Sequence, residues 1–351
     1  MSHTAGYLTC LTLLALACGG ERPPSSGADR AGATRSGGPV LTGAGATFPA
    51  PLYSKWFDTY AKETGIRINY QSIGSGGGIR QFIEGTVDFG ATDGPMTDEQ
   101  IAAVKGNVLH IPTALGAVSV TYNLPSIGKT ELTFDGGLLA DIFLGRVTRW
   151  NDGRIAALNP GVALPAEDII VVHRSDGSGT TFIFTDFLSK VSPTWSQVGR
   201  GTSVNWPIGL GGKGNEGVTQ QVKQSPASIG YVELIYALSN ALPSAKLRNA
   251  AGVLVQPTLK SVAAAAAGTE LPPNTDFRVS ITNAPGRDSY PISSFTWMLI
   301  RKEDPDTARA RTIHEFVAWM LEPPAQRMAA DLHYAPLPVQ VIEMVQKRIV
   351  P

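Results

Sequence analysis

The sequence predicts an α/β protein of two lobes, and three observations carry that prediction. The chain has 351 residues, beyond the ~100–200 residues that one hydrophobic core usually serves. From Leu41 onward, short apolar runs alternate with amphipathic helical patterns, the rhythm of a largely parallel sheet flanked by helices. The composition is that of a folded body rich in turns: 43% hydrophobic and 17% charged residues, with 38 glycines and 25 prolines.

The elements follow in order. The apolar stretch 7–17 is too short to span a bilayer and suits the apolar region of a secretory signal. It ends in Ala15-Leu16-Ala17-Cys18, which resembles a lipoprotein processing site; an ordinary cleaved signal is the other reading. Residues 1–18 therefore read as a signal peptide with Cys18 as a lipidation candidate, and 19–39, rich in Gly, Pro and Ser, as a flexible tether. No later window is long and apolar enough to cross a membrane, so contact with the membrane is expected only through the anchor. Residues 49–64 carry Leu52, Trp56, Phe57 and Tyr60 at helical spacing, with Gly65 where a helix stops. A strand over 66–73, a glycine-led helix over 76–84 and a strand over 87–91 follow, then strands over 108–112 and 118–122. A strand over 169–172, a glycine-rich loop over 173–179 and a helix over 180–188 repeat that order in the second lobe. The tract 201–217 reads as a long ordered loop, 261–267 as an alanine-rich helix, 295–300 as a strand, and 307–321 and 325–332 as helices.

Charge and cysteine usage narrow the function. Lys+Arg and Asp+Glu both total 29, so no net field favours nucleic acid, and any anion must be held locally. The two cysteines, Cys10 and Cys18, both lie in the signal region, which excludes thiol catalysis and cysteine metal sites in the body. Three loops share one design. Residues 42–49 (TGAGATFP) precede a helix, 74–78 (GSGGG) open one, and 176–181 (DGSGTT) open another with Arg174 just upstream. Unpaired N–H groups at a helix start, small residues that admit a close ligand, and hydroxyl and guanidinium donors together suit an oxyanion. None of the three matches a nucleotide P-loop or a dinucleotide fingerprint.

The runs 41–51 (LTGAGATFPAP), 74–78, 87–93 (VDFGATD), 174–180 (RSDGSGT), 206–214 (WPIGLGGKG) and 229–233 (IGYVE) closely resemble the phosphate-binding proteins of the bacterial high-affinity phosphate ABC transporter. The resemblance covers nearly all of 41–351. It implies a two-lobed periplasmic-binding-protein fold (type II-like) with inorganic phosphate in the interdomain cleft. Carried over position by position, it implies contacts from Thr47, Phe48, Ser75, Asp93, Arg174, Ser178, Gly179 and Thr180, with Asp176 tempering the charge of Arg174. His173 stands where a second basic residue was expected and is peripheral. Lobe I would comprise 40–113 plus 287–351 and lobe II 114–286, hinged near 112–113 and 286–291. The implied partners are an inner-membrane phosphate ABC permease and its ATPase, with no cofactor and no nucleic acid, in an exported, periplasmic or cell-surface protein.

Asp93 is the informative residue. A carboxylate beside an anion repels it unless the anion carries a proton to donate. Phosphate near neutral pH has that proton and sulfate does not; the plain alternative is that Asp93 caps the turn at Gly94-Pro95. A hydrolase centred on Ser178 is disfavoured, because the nucleophile elbow needs glycines two places either side and the chain has Asp176 and Thr180 there. The five histidines show no metal-ligand spacing, so no enzymatic activity is expected. A receptor for another oxyanion or a phosphorylated solute remains the alternative.

Overall fold

The computed structural model describes residues 40–349 apart from Pro273. The signal-peptide reading of 1–18, Cys18 included, and the tether 19–39 lie outside the described residues. Eleven strands are described: β1 Val40–Gly45, β2 Arg67–Ser72, β3 Phe89–Thr92, β4 Val108–Asn123, β5 Thr133–Phe134, β6 Ile170–Arg174, β7 Leu210–Gly212, β8 Ser228–Glu233, β9 Lys246–Arg248, β10 Leu254–Val255 and β11 Ser293–Arg301. Eight of them form one sheet in the order β2-β1-β3-β11-β4-β8-β6-β7, and β10-β9-β5 form a small second sheet.

The long strand β4 organises the large sheet. Its first part, Val108–Ala117, pairs antiparallel with β11, and Val118–Asn123 pairs antiparallel with β8. On one side β2, β1 and β3 are parallel; on the other β8, β6 and β7 are parallel. Thr92 at the end of β3 lies opposite Trp297, which faces Pro112, and Glu233 at the end of β8 lies opposite Val118. The carboxyl ends of both parallel groups thus converge on the middle of β4, where open α/β sheets bind ligands.

Local sequence explains most elements. In helix Ala50–Thr64, Pro49 stands at the N-cap, Pro51 fits the first turn, and Gly65, at φ 77°, ends it in the left-handed region. Its buried face, Leu52, Tyr53, Trp56, Phe57 and Tyr60, is the expected apolar stripe. The Phe57 ring lies 5.3–6.1 Å from the rings of Tyr53, Tyr70, Phe89 and Phe316, and the Trp56 indole N–H donates to the Ala325 carbonyl at 2.8 Å. The C-terminal helices Thr307–Met320 and Pro323–Asp331 are thereby locked onto the N-terminal one.

Three expectations change. The two strands expected over 108–112 and 118–122 are one, because the register skips Thr113: Thr296 pairs with Ala114 and Trp297 with Pro112. That bulge lets Pro112, which has no N–H to donate, sit inside a central strand. The strand expected over 169–172 runs on through His173 and Arg174, which pair with β7. The tract 201–217 is not loop throughout: it contains β7 and the start of helix Gly214–Gln224, elements too short and glycine-rich to show a period.

Trp56 is fully buried, so Trp56→Ala is expected to lower unfolding free energy by roughly 3–5 kcal/mol. Denaturant unfolding monitored by circular dichroism checks this; a loss below about 1 kcal/mol would contradict the packing role given to helix Ala50–Thr64.

Candidate functional site

The loops after β1, β2, β3 and β6 deliver the candidate residues, and local structure holds each of them. After β1, the turn at Thr47 and Phe48 is pinned by two phenols: Tyr236 donates to the Thr47 carbonyl and Tyr334 to the Phe48 carbonyl, each at 2.6 Å. The Phe48 ring is buried in the core, and its N–H donates to no described residue. After β2, Gly74 at φ 86° caps helix Ser75–Glu84 without a side-chain bond. A methyl group on Gly74 would fall 2.3 Å from Asp176 Oδ2 and 2.6 Å from the Gly177 carbonyl, so only glycine allows the loops to meet. Where they meet, Gly76 N–H donates to the Gly177 carbonyl at 2.9 Å.

Asp93 follows β3 directly and is 1% exposed. Thr296 donates its hydroxyl to Asp93 Oδ1 at 2.7 Å, and Asp93 N–H donates to Ser75 Oγ at 3.2 Å. Gly179 N–H donates to the same Ser75 oxygen at 3.0 Å. A methyl on Gly179 would lie 2.5 Å from both Asp93 Oδ2 and Ser75 Oγ, so Ser75, Asp93 and Gly179 converge on one point. Arg174 ends β6 and is 3% exposed. Its Nε and Nη2 donate to the two Asp176 oxygens at 2.8 and 2.6 Å, and Nη1 donates to Thr180 Oγ1 at 3.3 Å. Ser178 caps helix Gly179–Val191 by accepting from Thr181 N–H at 3.0 Å; Thr180 N–H, in the first turn, donates to no described residue.

The electrostatics separate the two aspartates. Burial pushes the Asp93 carboxyl up to about 7, against the opposing pull of Thr296, Arg174 and Ser75. Burial also acts on Asp176, but its paired guanidinium and the Gly214 N–H at 3.0 Å outweigh it and hold that carboxyl below the usual range. Arg174 is thus largely matched by Asp176, and Asp93 is left as a desolvated acceptor in a region otherwise made of donors.

The structure therefore brings Thr47, Ser75, Asp93, Arg174, Asp176, Gly179 and Thr180 into one hydrogen-bonded group, buried but for the part-buried Asp176, with Ser178 beside it as the cap. His173 turns away: its ring stacks on Trp206 at 4.8 Å and its Nδ1 lies 3.0 Å from the Arg174 carbonyl. With Asp176 on Arg174 and Ser178 Oγ on Thr181 N–H, no Ser–His–Asp relay is assembled. Two polar residues of the group escape sequence reasoning. Asn215 bonds to Thr47 and Thr180, and Thr296 to Asp93. Asn215 follows the Gly-Gly-Lys-Gly run at a helix start, a weak signal in hindsight; Thr296 lies in an apolar strand and gave none.

Residues 25–324 match the model of the PBP superfamily domain. The chain is 47% identical to phosphate-binding protein PstS of Xylella fastidiosa strain 9a5c over 307 residues, 87% of this chain and 84% of that protein. It is also 47% identical to phosphate-binding protein PstS of Pasteurella multocida over 308 residues, 88% of this chain and 89% of that one. Among solved structures, a high-affinity periplasmic phosphate-binding protein, PfluDING, with bound phosphate matches with a TM-score of 0.71 at 21% identity, over 88% of this chain and 93% of that one. The phosphate-binding protein of Stenotrophomonas maltophilia matches at 0.68 and 20%, over 88% and 94%. These structures share its fold, and the sequence relatives, at 47% identity over most of both chains, settle the family: the chain belongs to the PstS phosphate-binding proteins of the PBP superfamily.

Proposed function

We propose that this protein binds inorganic phosphate between two lobes, 40–113 plus 287–351 and 114–286, and delivers it to an ABC-type phosphate permease, by closure and without covalent chemistry. The observation that carries the reading is Asp93: one buried acceptor amid hydroxyl, amide and guanidinium donors. Such a site suits a tetrahedral oxyanion that brings one proton of its own. The candidate ligand donors are the N–H groups of Phe48 and Thr180, the hydroxyls of Thr47, Ser75, Ser178 and Thr180, and the Arg174 guanidinium, with Asp93 as acceptor; of the contacts the resemblance implies, Gly179 is left out because its N–H is spent on Ser75 Oγ at 3.0 Å. Export, a lipid anchor at Cys18, the tether 19–39 and assembly with the permease and its ATPase belong to the same proposal, supported by the sequence and by the relatives' name.

Closure is supported by burial. Thr47, Asp93 and Arg174 are at most 3% exposed, and Ser75, Ser178 and Thr180 are fully buried, so an anion reaches them only if the two sides part. The contacts that would part include Gly76 with Gly177, Ser75 with Gly179, and Thr47 with Asn215 and Tyr236. Hinge-like opening needs few residues to change conformation, and a ligand touching both sides favours the closed state.

Five outcomes test the reading. Titration calorimetry at pH 8 is expected to show tight phosphate binding and sulfate at least a hundredfold weaker; comparable affinities would defeat it. The sign of the pH dependence follows from a carboxyl that titrates at about 7. Below that pH, Asp93 gains a proton and can donate, so sulfate binding strengthens as pH falls from 8 to 5 and selectivity narrows. Asp93→Asn should bind sulfate with no such trend, and Arg174→Ala should weaken phosphate itself. Gly74→Ala, which forces a side chain against Asp176 and Gly177, is expected to weaken phosphate at least tenfold and to abolish the compaction seen by small-angle scattering on adding phosphate; an unchanged scattering response would argue against closure through these loops.

A further inference from the structure

Asn215, fully buried at the start of helix Gly214–Gln224, has every hydrogen-bonding group committed. The Glu233 main-chain N–H, which can only donate, binds Asn215 Oδ1 at 2.9 Å. That contact fixes the amide orientation and turns the NH2 group toward two hydroxyls: Nδ2 donates to Thr47 Oγ1 at 2.8 Å and to Thr180 Oγ1 at 3.2 Å. The Asn215 main-chain N–H donates to Thr47 Oγ1 as well, at 3.2 Å.

A hydroxyl oxygen accepts through two lone pairs and donates one proton. Both lone pairs of Thr47 Oγ1 are taken by Asn215. Those of Thr180 Oγ1 are taken by Asn215 and by Arg174 Nη1 at 3.3 Å. Neither hydroxyl can accept further, so each has only its proton to offer. Ser75 Oγ reaches the same condition without Asn215, by accepting from Asp93 N–H and Gly179 N–H.

Resting on the phosphate reading above, we propose that Asn215 is a positioning residue that sets the proton polarity of the site: by saturating Thr47 and Thr180 as acceptors it makes both obligate donors to the anion, and it ties the β1 loop to the loop after β6. The division of labour follows. Thr47, Ser75 and Thr180 present protons only, Asp93 alone accepts, and an anion that must be met by acceptors at other oxygens is refused. Asn215 never touches the anion; it acts through hydroxyls that do.

A double-mutant cycle with phosphate calorimetry tests this. Wild-type binding is measured first: no binding of phosphate would overturn the phosphate reading and this inference with it. Given wild-type binding, Asn215→Ala is expected to weaken phosphate at least about tenfold, the scale of one hydrogen bond to a charged group. In a Thr47→Val background, where the hydroxyl is gone, the same substitution should weaken it no more than about threefold, since the shared term has been removed. Full additivity, or an Asn215→Ala affinity equal to wild type, would overturn the inference while leaving the phosphate reading intact. If Asn215→Ala does not fold, as judged by thermal melting, Asn215→Asp keeps the shape and replaces donor by acceptor. It should weaken phosphate at least about a hundredfold; wild-type affinity in that variant would equally overturn the proposal.

Discussion

The desolvation of Asp93 is the constraint around which the rest of this site is arranged. A carboxylate removed from water is costly unless donors surround it or it takes a proton. Here both happen in part: Thr296 donates to one oxygen, Arg174 acts from nearby, and the carboxyl still titrates at about 7. A fully matched carboxylate would ionise at low pH, as Asp176 does beneath the Arg174 guanidinium. Asp93 is kept just short of that. It retains an unmet capacity to share a proton, and a ligand that brings one relieves it.

The fold supplies this arrangement by convergence. Two parallel strand groups point their carboxyl ends at the middle of β4, and glycine loops from each side pack so closely that a methyl group at Gly74 or Gly179 would collide with the other side. The bulge that admits Pro112 leaves Thr113 unpaired in the ladder, and Thr113 Oγ1 donates to the Thr296 carbonyl at 3.2 Å while standing 3.1 Å from the Tyr53 hydroxyl. The strand irregularity thus lies directly behind the residue that holds Asp93. Binding loops commonly rest on rigid scaffolds in this way, and the aromatic packing of helix Ala50–Thr64 on the C-terminal helices supplies the rigidity.

Legibility in the sequence tracked how local the cause is. The glycine loops and the helix stop at Gly65 announce themselves because their physics acts within a few residues, whereas the Arg174–Asp176 pair came with the family resemblance. The helix start at the 74–78 loop belongs to the same local class. Thr296 and Asn215 were missed for the opposite reason: each meets its partner across 203 and 168 positions of chain respectively. A lone threonine in an apolar strand, or an asparagine after glycines, carries no period and no spacing. The same holds for β4, read as two strands over 108–112 and 118–122, when only the register with β11 shows how Pro112 is absorbed into one.

The central claim concerns the ionisation of one side chain, so it is most directly tested by watching that side chain. Carbon-13 NMR of carboxyl-labelled aspartates, with the Asp93 signal identified by its loss in Asp93→Asn, can be followed through a pH titration with and without phosphate. The account predicts a midpoint near 7 in the ligand-free protein and a signal that no longer titrates there once phosphate is bound. A midpoint near 4, unmoved by phosphate, would contradict it.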